Sequence, residues 1–107
     1  MKYKVNIDPQ AKADMREIFL YVSINDSLES ANKLLDKIEE RCYKLEKFPE
    51  WGHIPEELRN IGIKRYLEIH YKPYRIIYEI KRHIVYIHAV LDGRRNIQEI
   101  LSNRILR

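Results

Sequence analysis

Cysteine, glycine and proline are scarce in this sequence: one, three and four among 107 residues. A lone thiol, Cys42, can close no internal disulfide and build no cysteine-based zinc site, which excludes disulfide-stapled scaffolds and zinc ribbons. So little glycine and proline, beside 45% hydrophobic and 34% charged residues, excludes collagen-like and low-complexity chains and leaves the soluble globular class. No apolar run approaches the roughly 20 residues that cross a bilayer, so no membrane partner is expected. The opening residues, MKYKV, hold neither an apolar stretch nor the small-residue cleavage site of a secretion signal. The expected compartment is therefore cytoplasmic, and the expected organisation is one domain over residues 1–107. Four histidines, His53, His70, His83 and His88, share neither helical ligand spacing nor the two-step spacing of a strand. No metal and no cofactor is expected.

What the chain does have is charge, unevenly spread. Residues 1–60 carry 10 Lys and Arg against 12 Asp and Glu, a net of −2, whereas residues 61–107 carry 10 against 4, a net of +6. A basic half in so small a chain suits an anionic partner, either nucleic acid or an acidic protein segment.

Periodicity supplies the elements. Tyr3 to Ile7 alternate as a short strand with Tyr3, Val5 and Ile7 inward. Asp8-Pro9 then opens a helix through Ala11, Met15, Ile18 and Val22, with proline at the first helical position. Asp26, with Glu29 three residues on, fits a capping box for a second helix. That helix carries one apolar stripe through Ala31, Leu34, Leu35, Ile38, Cys42, Leu45 and Phe48. The short link between the two helices implies an antiparallel hairpin. The stretch FPEWGHIPEELRNIG is broken by Pro49, Gly52 and Pro55 and reads as irregular, with Trp51 folding back onto the helices. Three strand-like runs follow, IKRYLEI, PYRIIYEIK and HIVYIHAVL, joined by short turns and hence antiparallel. Asn96 with Glu99 caps a short terminal helix. The fold class is α+β, in the order β-α-α-β-β-β-α, with the helical hairpin on one face of a small sheet.

A two-residue turn at Arg82-His83 pairs Ile80 with Val85, Tyr78 with Ile87 and Ile76 with Ala89, which matches the two apolar sets. By parity the opposite face holds Arg75, Ile77, Tyr86, His88 and Val90. Two helices cover one face of such a sheet, so this second face is expected to be an open groove, rimmed by Arg94 and Arg95 and joined by Lys64.

With these residues in order, the sequence resembles the RelE/ParE superfamily of toxins from type II toxin–antitoxin (plasmid stabilisation) pairs. The resemblance rests on ADMREIFLYV, the P-x-x-G…P-E-x-L loop, the Y-R-x-x-Y strand and the last strand ending in G-R-R. It implies a hairpin packed on a small antiparallel sheet, and a groove that acts on RNA or is filled by an antitoxin. RelE-like members cleave messenger RNA on the ribosome; ParE-like members poison DNA gyrase without nuclease chemistry. For the nuclease branch the match implies Arg75 and Arg95 as phosphate partners, with Glu56 or His88 transferring protons. Nuclease relatives carry a tyrosine, or a histidine–tyrosine pair, at the C-terminal end. The corresponding position here is Leu101, and no Tyr or His follows His88. This departure, with the G-R-R turn and the long hairpin, places the chain closer to the ParE branch.

The expected function is thus a gyrase-binding toxin, not an enzyme in its own right, neutralised by a cognate antitoxin seated on the groove of Arg75, Ile77, Tyr86, His88 and Val90 and on the exposed face of the helical hairpin. Lys64, Arg75, Arg94, Arg95 and Arg104 are the expected contacts to the target or its nucleic acid, within a basic stretch that runs to Arg107. A ribosome-dependent endoribonuclease and an inactive antitoxin-binding protein are the alternatives.

Overall fold

The structure, a computed structural model, describes residues 2–105; Arg107 lies outside the described residues. Strand β1 (Lys4–Ile7) leads into helix α1 (Pro9–Asn25), with Asp8 at the N-cap and Pro9 at the first helical position. The Asp8 carboxylate caps no backbone N–H. It is engaged across the sheet instead, by His88.

Helix α2 (Leu28–Lys44) starts later than the Asp26 pattern predicts. Ser27 is the cap, its hydroxyl accepting from the Ser30 N–H at 3.0 Å. Asp26 is instead the C-cap of α1, its N–H donating to the Val22 carbonyl at 2.8 Å. The α2 stripe packs as expected through Ala31, Ile38, Cys42 and Leu45, all fully buried. Phe48 falls beyond the helix and stays exposed. Trp51 does return to α2, where its ring lies 5.2 Å from Lys44 Nζ and 5.9 Å from the Arg41 guanidinium. Inside the stretch expected to be irregular, Glu56–Arg59 form one helical turn, α3.

Strands β2 (Tyr66–Tyr71), β3 (Tyr74–Lys81) and β4 (Ile84–Asp92) form an antiparallel meander. Strand β1 adds parallel to β4, giving the order β1-β4-β3-β2. Helix α4 (Ile97–Ile105) follows, with the Glu99 N–H donating to Asn96 Oδ1 at 3.2 Å. The arrangement is α+β, with the hairpin, sheet and terminal helix in the predicted order.

The β3–β4 register agrees with the predicted pairing at Ile80↔Val85 and Tyr78↔Ile87, and then shifts. Ile77 pairs with Ala89 and Ile76 with Val90, so His88 is an extra residue in β4, a β-bulge. Beyond it the side chains change faces. Val90 turns into the core beneath the hairpin with Ile76, Tyr78, Val85 and Ile87. Ala89 and Leu91 join Ile77 on the opposite face.

That opposite face is not open. Ile97 and Leu101 of α4 and Leu58 of α3 cover Ile77, Ala89 and Leu91 and make a second apolar cluster. Ile77 is 0% and Val90 1% exposed, so neither can line an antitoxin groove, which corrects the expectation made for both. The physical reason is the bulge together with α4, which folds back far enough to close the face.

Candidate functional site

The largest charged cluster lies at the β2–β3 end of this second face, around a cleft of about 580 Å³. Glu68 and His70 project from the same face of β2, and Arg75 pairs with His70 across the ladder. Arg75 donates to Glu68 through Nε (2.6 Å) and Nη2 (2.8 Å), and to Glu57 of α3 through Nη1 (2.7 Å) and Nη2 (2.9 Å). Both carboxylates are thus held in forked geometry, the strongest form of this pair. The Arg75 side chain is 13% exposed and that of Glu68 3%.

The hydrogen bond from Arg75 holds the Glu57 carboxyl below the usual carboxylate range. At Glu68, burial works to raise the pKa, but hydrogen bonds from Arg75 and His70 outweigh it and the carboxyl also sits low. The Arg75 guanidinium is correspondingly stabilised in its charged form, chiefly by the bond to Glu57.

His53 reaches the same carboxylate from the loop. Its backbone pairs with Glu68 in an isolated bridge, donating at 3.1 Å and accepting at 2.7 Å. Gly52 makes this approach possible: a Cβ there would meet the Glu68 carbonyl oxygen at 2.5 Å and the Tyr78 hydroxyl at 2.7 Å. Tyr78, fully buried, fixes the loop by donating to the Pro49 carbonyl at 2.8 Å and accepting from the Gly52 N–H at 2.9 Å. His53 Nε2 then lies 3.5 Å from Glu68 Oε2, and His70 Nε2 lies 2.8 Å from Glu68 Oε1.

His88 belongs to a separate cluster. Its Nδ1 lies 2.7 Å from Asp8 Oδ2 and its Nε2 2.9 Å from Glu79 Oε1, with the Tyr66 ring edge-on at 5.7 Å. Arg75, Ile77 and Glu79 share one face of β3, so the apolar Ile77 stands between the two clusters. Arg75 and His88 therefore do not converge on one groove, contrary to expectation.

Arg104, expected on a target-binding surface, is likewise engaged inside the molecule. It donates to both oxygens of the buried Asp14, Nη2 to Oδ1 at 2.5 Å and Nη1 to Oδ2 at 2.7 Å, and to the His88 carbonyl at 3.2 Å. Asp14 also accepts from the Val90 N–H at 2.9 Å. The two charged groups thereby satisfy the backbone that the bulge takes out of the ladder, and they tie α1, β4 and α4 together.

The remaining candidates are on the surface. Glu56 is exposed at the start of α3 and lines the cleft. Lys64 and Arg95 are exposed and make no salt bridge among the described residues. Arg94, also exposed, folds onto Asp92 at 3.1 Å. Leu101 is 4% exposed beneath the sheet. Glu57, Glu68, Asp8, Asp14 and Glu79, which hold these clusters, were not anticipated. The two-step spacing of Glu68 and His70 in a strand was one available signal. An aspartate at position 14, inside the apolar stripe of α1, was another.

Residues 5–97 match the family model described as the ParE toxin of the type II toxin–antitoxin system parDE. The chain belongs to the ParE toxin family. Toxin ParE3 of Caulobacter vibrioides is 29% identical over 91 residues, covering 85% of this chain and 87% of that protein. Among solved structures, the chromosomal ParDE system of P. aeruginosa superposes with a TM-score of 0.72 at 15% identity, over 85% of this chain and 96% of that one. The toxin–antitoxin complex RelBE2 of Mycobacterium tuberculosis gives 0.64 at 17% identity, over 86% and 99%. Those two likenesses are of fold. They place this ParE-family chain in the architecture expected from the RelE/ParE resemblance, with the Arg75 cluster at one end of its sheet.

Proposed function

We propose that this ParE-family toxin inhibits DNA gyrase by binding it, without cutting RNA, and is neutralised by a cognate antitoxin. The observation that carries the reading is the state of Arg75. An arginine that grips a phosphate must present its fork to the ligand. Here the fork faces Glu57 and Glu68, with four hydrogen bonds of 2.6, 2.7, 2.8 and 2.9 Å. The other groups a nuclease would need are dispersed: Glu56 shares the cleft with Arg75, whereas His88 and Arg95 do not line it. The buried Leu101 occupies the place of the nuclease tyrosine.

With the apolar part of the second face covered by α3 and α4, the hairpin supplies the docking surface for the antitoxin. Met15, Phe19, Leu35 and Tyr43, flanked by Lys12 and Arg16 on α1 and by Glu39 on α2, line a groove of about 470 Å³ along the hairpin. An amphipathic helix with acidic flanks fits such a groove. The test is a gyrase supercoiling assay with the purified chain. Inhibition is expected, relieved by the antitoxin from the adjoining reading frame and unchanged by Glu56→Gln. Unimpaired supercoiling at saturating toxin would overturn the reading.

A further inference from the structure

We propose that His53, His70 and Glu68 form a binding site for a divalent transition-metal ion, with zinc best suited to their chemistry. Nothing in the gyrase reading requires this site, and it stands apart from it. The two imidazole nitrogens and a Glu68 oxygen all lie within 4.8 Å of one another. Ligands around a tetrahedral zinc, bonded at about 2.0–2.2 Å, sit roughly 3.4 Å apart. The nearest present separations run to different oxygens, 3.5 Å from His53 Nε2 to Oε2 and 2.8 Å from His70 Nε2 to Oε1, and lie on either side of that value. Small rotations close the difference. Both histidine side chains are free enough to make them, being 62% and 43% exposed, while Glu68 at 3% is held rigidly.

Arg75 is the apparent obstacle, since it already binds both Glu68 oxygens. A carboxylate offers about four lone-pair directions, two on each oxygen. Arg75 takes one on each, through Nε at 2.6 Å and Nη2 at 2.8 Å. An ion among the histidines would use a direction that Arg75 leaves, in place of the present His70 Nε2–Glu68 Oε1 contact of 2.8 Å. In that role Arg75 orients the ligand carboxylate, as outer groups do at metal sites. Its positive charge is offset by Glu57, which it holds with two hydrogen bonds. Two nitrogens and one oxygen fill three of four positions, and the fourth opens to the 580 Å³ cleft for water or a partner's side chain.

The site has few rivals in the described chain. His88 has a carboxylate at each ring nitrogen. The Cys42 thiol is fully buried, and burial pushes its pKa up to about 12. Among the described residues His83 belongs to no group of three metal-ligating side chains, and its ring neighbour is Tyr3. Bound metal would fasten the loop at His53 to strand β2, which lies at the edge of the sheet.

Calorimetric titration of the intact chain with ZnCl₂ tests the proposal, with Co²⁺ absorption reporting the geometry. We expect one ion per chain, an intense visible Co²⁺ band of tetrahedral type, and a rise in Tm that a chelator reverses. His53→Ala and His70→Ala should each weaken binding by at least the ~10–100-fold that loss of an outer group costs. His53→Ala should keep the metal-free Tm, because its side chain is exposed, His70→Ala should lower it slightly by losing the 2.8 Å contact to Glu68, and His83→Ala should bind as the parent does. Absence of binding at micromolar zinc, or equal affinity in the parent and both variants, would overturn the assignment.

Discussion

Arg75 reads in sequence as a surface cation awaiting an anion, but the anions it meets are the chain's own. Its side chain is 13% exposed and lies between Glu57 and Glu68. Removing one member of a buried pair leaves the others uncompensated, at a cost of about 3–5 kcal/mol. Ile38→Ala, which empties a fully buried core position, should cost about 2–5 kcal/mol. The two substitutions should therefore be comparable by denaturant titration, although a groove-lining arginine would have been much the cheaper to lose. A small effect for Arg75→Ala would return that residue to the surface and to possible phosphate contact.

The same cluster sets an acid limit. Glu57 and Glu68 have folded-state pKa values below their unfolded ones, so their contribution is complete above about pH 4.3. It is lost as pH falls through the depressed folded values, because the unfolded chain then takes up protons first. The denaturation midpoint should decline below about pH 4, and Glu68→Gln should flatten that decline while lowering stability at neutral pH. A parent chain whose midpoint stays level down to pH 3 would contradict the pairing.

Among the elements, the hairpin and strands were legible because their apolar spacing follows from helical and strand periods. The bulge was not. Period-two reading assigns Val85, Ile87, Ala89 and Leu91 to one face, and the inserted His88 sends the last two to the other. The one hint was the unbroken apolar run Ala89-Val90-Leu91, which suits a strand buried on both faces. Once the bulge is placed, Arg104 changes meaning, since its position beside the His88 carbonyl exists only there. Of the candidate site, the cations were legible and their partners mostly were not, because those pairs join residues far apart in sequence. Asp14 and Arg104, 90 positions apart, are an example. Asp14→Ala and Arg104→Ala should each destabilise the chain, and a double-mutant cycle should show coupling of roughly 0.5–3 kcal/mol. Additive losses would mean that the bulge is held by something else. In the loop, Tyr78→Phe should cost about 1–3 kcal/mol by leaving the Gly52 N–H without its acceptor, measured by thermal unfolding.

At the scale of the molecule, α3 and α4 cover the apolar part of the second face, and the hairpin and the basic turn after β4 join the Arg75 cleft as the surfaces for partners. Leu20, Tyr21, Ile24 and Leu28 are 51%, 67%, 80% and 61% exposed at the hairpin tip, an apolar patch continuous in sequence across the two helices. No helix among the described residues is long and apolar enough to cross a membrane, so these side chains are not part of a helical span. Arg94 and Arg95, in the turn after β4, are exposed and able to steer an anionic target. If the chain inhibits gyrase as proposed, replacing both with alanine should weaken that inhibition at least several-fold at low salt, with a smaller effect as ionic strength rises. Antitoxin binding at the hairpin should respond less.

Under the proposed function, the charged groups of this ParE-family chain hold its fold together and do not form a ribonuclease centre. Ribosomes programmed with a defined messenger RNA, incubated with the purified toxin and read by primer extension, test that claim most directly. The account predicts no new RNA ends at toxin concentrations that halt gyrase supercoiling. Toxin-dependent cleavage that disappears in Arg75→Ala, with that variant still folded, would contradict it.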